Sequence, residues 1–132
     1  MYYFAYGSDL NRKEMAQRCQ NCKPRSVARL HHYKLIFAGW SRKWKGPVAS
    51  IKPVRDERVI GAVYEISEKD LKLLDRHEGY PTICDRINVM VNTNDDEALE
   101  AITYVLKDKQ EAKPSELYTL TVRQGYKDWR IM

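Results

Sequence analysis

Phe4-Ala5-Tyr6-Gly7-Ser8-Asp9-Leu10 sets a glycine turn between an apolar strand and a helix, and the rest of the chain reads outward from that junction. Tyr2 to Tyr6 is an aromatic run of the kind that fills a buried strand. Gly7 permits a backbone turn that a side chain would obstruct. Asn11 then caps a helix with Glu14 three residues on, and Leu10 and Met15 flank the cap as a hydrophobic staple. Backbone N–H groups at such a turn have no internal partner, so a carboxylate or an oxyanion is a natural guest. Spacing alone fits an ordinary strand-turn-helix junction as well.

At 132 residues the chain reads as one domain, 1–132. No apolar run approaches the length of a membrane span, and no basic segment leads into an apolar stretch at the start. A cytoplasmic protein without a membrane partner is therefore expected. Cys19, Cys22 and Cys84 form an odd set without an export signal, which points to free thiols rather than a disulfide framework. Cys19 and Cys22 have C-x-x-C spacing, with His31 and His32 as conceivable further metal ligands. No second pair exists, however, and neighbouring strand residues face opposite ways, so no metal is expected. The formal net charge of +5 favours anionic partners without choosing among them. Arg42-Lys43-Trp44-Lys45 could stack single-stranded bases, but the other basic residues are interleaved with Asp and Glu. The stretch reads as a solvated loop with one anchored Trp, and no nucleic-acid partner is expected.

Arg29 to Ala38 alternates as a strand; Val48 to Ile51 reads as a short strand ended by Pro53; Val59 to Ile66 reads as a central strand. Ser67 opens a helix with Asp70 at the third helical position, Leu71 and Leu74 inward and Leu73 beside them, and Gly79 supplies the left-handed stop after Glu78. Tyr80-Pro81 implies an extended path. Ile87, Val89 and Val91, the turn Asn92 to Glu97, and Leu99 to Leu106 make a hairpin. Pro114 and Ser115 start a last helix whose Leu117, Leu120 and Val122 leave its buried face undecided. The expected fold is α+β: a small mixed, mainly antiparallel curved sheet or barrel of about six strands, flanked by about three helices.

Glu78 stands out chemically. A carboxylate at a helix C-terminus meets the partial negative charge of the last carbonyls, which raises its pKa, more so if it turns inward. A glutamate tuned toward neutrality can both accept and donate a proton. His77 and Asp75 beside it compete for that role, and a solvent-exposed Glu at a fraying helix end fits the spacing too.

The motif at residues 4–10, Ala28-Arg29-Leu30, Trp44-Lys45-Gly46-Pro47-Val48-Ala49-Ser50-Ile51, Leu74-Asp75-Arg76-His77-Glu78-Gly79-Tyr80 and Pro114-Ser115-Glu116-Leu117-Tyr118 together resemble the γ-glutamylcyclotransferase family in order and spacing. The resemblance implies a small barrel flanked by helices. It also implies an enzyme without cofactor or metal that releases an amine, amino acid or peptide from a γ-glutamyl compound while closing the glutamyl part into 5-oxoproline. Residue by residue, it implies a substrate loop of Tyr6, Gly7, Ser8, Asp9 and Leu10, an acid/base at Glu78, and pocket tyrosines at Tyr104 and Tyr118. A homodimer is an assembly the resemblance allows. Position 9 departs from the pattern, since the family commonly has Asn there; Asp9 brings a negative charge to a loop expected to receive a carboxylate, unless it points away and supports the turn. Two other readings stay open: a non-catalytic ligand-binding or regulatory member of the same superfamily, and a basic nucleic-acid-binding domain.

Overall fold

The computed structural model describes residues 1–131. Strand β1 (Tyr2–Ala5) leads through a 3₁₀ turn (Ser8–Leu10) into helix α1 (Arg12–Arg18). Two long strands follow, β2 (Lys23–Ser41) and β3 (Gly46–Glu65), then helix α2 (Glu68–Glu78), the hairpin β4 (Cys84–Thr93) and β5 (Ala98–Leu106), and helix α3 (Glu116–Asp128). The strands close into a barrel in the order β1-β3-β2-β4-β5. Every neighbouring pair is antiparallel except β1 with β5, where Tyr3 pairs with Ile102 in parallel and completes the ring.

The sheet has five strands because the two segments expected on either side of Pro53 are one. Pro53 pairs with Tyr33 beside a register shift that follows His31, which itself pairs with Arg58. The missing N–H falls where the ladder is already interrupted, so proline bends the strand there instead of ending it. The same irregularity puts His32 at φ 66°, outside regular alternation.

The helix boundaries follow their caps. Asn11 accepts from the Glu14 N–H at 3.0 Å, and Ser67 and Asp70 exchange both bonds of a capping box. Gly79 ends α2 at φ 75°, in the left-handed region. The Tyr80–Pro81 peptide beyond it is cis, which the extended path expected there did not include. On α2, Leu74 is fully buried while Leu73 is exposed. The buried face of α3 is Tyr118, Val122 and Gly125, at i, i+4 and i+7; Leu117 and Leu120 face outward.

Cys19 and Cys22 are joined in a disulfide, contrary to the free thiols expected; only Cys84 is free among the described residues. Cys19 caps the C-terminus of α1, and the two-residue turn after it brings the Cα atoms to 5.6 Å, a separation a disulfide spans. Among the described residues no helix is long and apolar enough to cross a membrane.

Candidate active site

One end of the barrel opens into a cavity of about 550 Å³. Its wall draws Tyr3, Tyr6, Gly7, Ser8 and Asp9 from the first strand and turn, His77 and Glu78 from the end of α2, Cys84 from β4, Tyr104 from β5 and Tyr118 from α3. Residues separated by most of the chain are thus gathered because barrel closure sets β1 between β3 and β5. Of the residues expected at the site, Leu10 alone does not line it. It is fully buried, its N–H is spent on the Gly7 carbonyl at 3.0 Å, and its own carbonyl accepts from the Trp129 indole at 2.9 Å.

The turn is held from below and behind. Tyr64 donates to the Asp9 carbonyl at 2.9 Å, and Asn11 donates to the Thr121 carbonyl at 3.1 Å, tying the turn to β3 and α3. A Cβ on Gly7 would come within 2.9 Å of the Tyr118 hydroxyl and 3.0 Å of the Ala49 Cβ. That hydroxyl is itself fixed, accepting from the Ala49 N–H at 2.8 Å. Gly7→Ala should therefore displace the turn, at about 1–3 kcal/mol for overpacking. The expected outcome is a roughly 10–100-fold loss in kcat/KM, larger than the accompanying loss of thermal stability implies; steady-state kinetics beside a melting curve checks it.

Glu78 is partly buried with its side chain on the cavity wall, and it has no hydrogen-bond partner among the described residues. Burial pushes its carboxyl up to about 7, although the Arg18 guanidinium pulls the other way. The surrounding tyrosines are neutral donors: burial, reinforced by Glu78, holds Tyr3 and Tyr6 well above their ordinary value and puts Tyr118 at about 12. Burial likewise pushes the Cys84 thiol up to about 12, which makes it a poor nucleophile.

The competing candidates are otherwise engaged. Asp75 accepts from the Tyr104 hydroxyl at 2.6 Å and from Arg86 at 2.5 Å, and Arg86 stacks 4.4 Å over the Tyr80 ring. This network locks the last turn of α2 to the hairpin and so fixes the direction of Glu78. His77 sits at the rim, exposed, and partial burial followed by the charges of Arg18 and Lys43 holds it down at about 4. It is neutral at physiological pH.

A raised carboxyl pKa also bears on stability. Folded Glu78 holds its proton up to about 7 while the unfolded chain releases it near 4.5, so between those values the folded state binds more protons. Stability therefore falls as pH rises through that window and stays lower above it. Glu78→Gln removes the penalty, so its Tm should exceed the wild-type Tm at pH 8 and match it near pH 4; thermal melts across that range check the sign.

Asp9 neither points away nor stands free. Its carboxylate, buried, accepts from the Tyr3 hydroxyl and forms an ion pair with Arg18 of α1, which also donates to the Ser8 hydroxyl at 3.1 Å. Donor atoms of Asp9, His77 and Glu78 all lie within 4.8 Å of one another. Both Asp9 oxygens are already engaged, by Tyr3 and Arg18, which makes this trio a poor cation shell.

Sequence reasoning missed Arg18, Tyr3 and the hairpin tip. Trp40, Arg42 and Lys43 line the cavity mouth, with Trp40 72% exposed, whereas Trp44 is buried edge-on against Tyr118 at 5.3 Å and offers no stacking platform. The aromatic and basic composition of residues 40–45 was the available signal; nothing local said that the hairpin folds over a pocket.

Residues 3–130 match the family profile described as Gamma-glutamyl cyclotransferase, AIG2-like. Proteins named Gamma-glutamylcyclotransferase from Homo sapiens and Mus musculus are 30% and 28% identical over 131 residues, which is 96% of this chain and 70% of each relative. A solved structure titled Gamma-glutamyl cyclotransferase superposes with a TM-score of 0.93 at 28% identity, over 97% of this chain and 79% of that one. The chain belongs to the gamma-glutamyl cyclotransferase, AIG2-like family of enzymes.

Proposed function

We propose that this protein cleaves a γ-glutamyl amino acid, peptide or amine to 5-oxoproline and the free amine, with Glu78 as the single acid/base. The observation that carries the reading is that the turn at residues 7–9 and one carboxyl raised to about 7 share the wall of a single cavity of about 550 Å³. A folded glutamyl unit fills part of that volume, and the departing half extends toward Trp40, Arg42 and Lys43.

The chemistry follows from the substrate carrying its own nucleophile, an α-amine that is protonated near neutral pH. The substrate carboxylate docks on the main-chain N–H groups of the turn, which bends the chain so that the amine faces Glu78. Ionised Glu78 removes one ammonium proton, and the freed lone pair attacks the γ-carbonyl carbon, forming the ring C–N bond and a tetrahedral oxyanion. Tyr3, Tyr6 and Tyr104 already donate their protons to Asp9, the Tyr104 carbonyl and Asp75, so the Tyr118 hydroxyl and turn N–H groups are the donors at hand for that charge. Glu78 passes its proton to the amide nitrogen as the original C–N bond breaks. The ring nitrogen loses its second proton by the same route, so the products are 5-oxoproline and the protonated amine. Intramolecular attack from a bent conformer supplies a large part of the acceleration, up to roughly 7–11 kcal/mol in well-oriented systems. Neither a cofactor nor a metal takes part in these steps.

A carboxyl near pH 7 suits both halves, since a group serving as base and then acid works best when its pKa lies near the working pH. Offering γ-glutamyl dipeptides, γ-glutamylamines and glutathione, with 5-oxoproline quantified by mass spectrometry, tests the reading. Product from at least one class, lost in Glu78→Gln, is expected. Tight binding of these compounds without 5-oxoproline from any of them would favour the non-catalytic ligand-binding alternative.

A further inference from the structure

The Asp9 and Glu78 carboxylates meet on the wall of this cavity, and Asp9 is paired with the Arg18 guanidinium. Oxygens of Asp9 and Glu78 lie within 4.8 Å of each other, and Arg18 pairs with Asp9 while its field also reaches Glu78. The Arg18 and Asp9 side chains are 5% and 4% exposed, so water screens neither. Left alone, either charge would dominate Glu78: the carboxylate would hold its proton on, the guanidinium would strip it off.

The tyrosines, the thiol and the imidazole around Glu78 do not carry charge at neutral pH. From β1 they are Tyr3 and Tyr6, from β4 Cys84, from β5 Tyr104 and from α3 Tyr118, all held protonated by burial. On α2 itself the neighbour is neutral His77. Lys43 of the hairpin is occupied with Glu14 at 2.9 Å, and Glu14 is in turn 3.4 Å from Arg18, so that pair too is balanced. The charged groups acting most directly on Glu78 are Asp9, within 4.8 Å, and Arg18; Arg42 and Asp108, of opposite charge, also line the cavity.

We propose that Asp9 and Arg18 act on Glu78 as one neutral unit: Arg18 makes a carboxylate tolerable at position 9, and Asp9 keeps the guanidinium from capturing Glu78. Arg18 is on this account a positioning residue, acting through Asp9 and not by touching the reacting atoms. With the two fields cancelled, burial decides the proton affinity of Glu78, and the turn presents no net negative charge to an incoming substrate carboxylate. The inference rests on the acid/base reading of Glu78 for its catalytic meaning, but its electrostatic content stands without turnover.

The test is the titration of the Glu78 side-chain carboxyl by ¹³C NMR, assigned with Glu78→Gln, in wild type, Asp9→Asn, Arg18→Met and the double variant. Asp9→Asn leaves the guanidinium with Glu14 alone, which Lys43 already neutralises, and should lower the midpoint by about one pH unit; Arg18→Met strands the Asp9 charge and should raise it by about as much. The double variant should return to within roughly 0.3 of wild type, and the acid limb of kcat/KM should follow the same order. A merely structural role would let water into the site and lower the midpoint in all three variants, which would overturn the proposal. A midpoint unmoved in Asp9→Asn would overturn it as well, and that isosteric variant decides the matter if Arg18→Met does not fold. Undiminished turnover by Glu78→Gln would instead sink the catalytic reading and leave the titration result standing.

Discussion

Glu78→Gln is expected to lower kcat by about three orders of magnitude, the middle of the range for loss of a general acid–base, with KM changed far less. Gln is close to isosteric with Glu, and Glu78 makes no hydrogen bond among the described residues, so the substitution removes proton transfer while leaving the wall of the cavity in place. The cyclisation cannot bypass this loss, because every glutamyl α-amine enters protonated and the neighbouring groups are unsuited to replace the carboxylate. His77 is a weak base at about 4, and Asp75 is tied to Tyr104 and Arg86. Quantifying 5-oxoproline in single-turnover and steady-state runs checks the prediction, and equal rates in the two proteins would remove Glu78 from the mechanism. The same variant should be the more stable protein at alkaline pH, so low activity cannot be ascribed to misfolding.

Gly125→Ala is expected to lower stability and weaken substrate binding together. A Cβ there would lie 2.6 Å from the Asn11 nitrogen, 2.7 Å from the Leu10 carbonyl carbon and 2.7 Å from the Leu10 Cβ. Two of those atoms are backbone, which cannot swing aside as the end of a flexible side chain can. Helix α3 must back away or the turn must move into the cavity, and the bonds from Trp129 to the Leu10 carbonyl and from Asn11 to the Thr121 carbonyl resist either shift. Overpacking of this kind costs about 1–3 kcal/mol, or a Tm lower by roughly 4 °C per kcal/mol for a domain of this size. Because the displaced atoms immediately follow Asp9, KM should rise as well. A thermal melt with parallel kinetics checks both, and a Tm and KM equal to wild type would mean that α3 does not brace the substrate turn.

Much of this architecture was legible because it is written in local chemistry. Ser67 with Asp70 and Asn11 with Glu14 announce helix starts through side chains that satisfy specific N–H groups, and Gly79 announces a stop through a conformation other residues avoid. Glu78 was conspicuous for the same reason, as a carboxylate at the wrong end of a dipole. What stayed hidden depends on distant partners. Pro53 looked like a strand end because the register shift opposite it, at His31 and Tyr33, is a property of the pair and not of either strand. The buried face of α3 was obscured because its third position is Gly125, which has no hydrophobic signal and packs against the turn at Leu10. The Cys19–Cys22 bond was discounted on cysteine parity, whereas it is set by where α1 ends. Arg18 went unremarked since only the tertiary fold brings the end of α2, with Glu78, to within 4.8 Å of the Asp9 carboxylate that Arg18 pairs with.

The central claim, that the turn at residues 7–9 and the residue 78 side chain grip opposite ends of one bent glutamyl unit, is tested most directly by a crystal structure of Glu78→Gln holding an uncleaved γ-glutamyl dipeptide. The substrate carboxylate should lie on the N–H groups of the turn with its α-nitrogen about 2.6–3.2 Å from the side chain at position 78. A ligand lying extended at the cavity mouth, with its α-nitrogen remote from residue 78, would contradict the account.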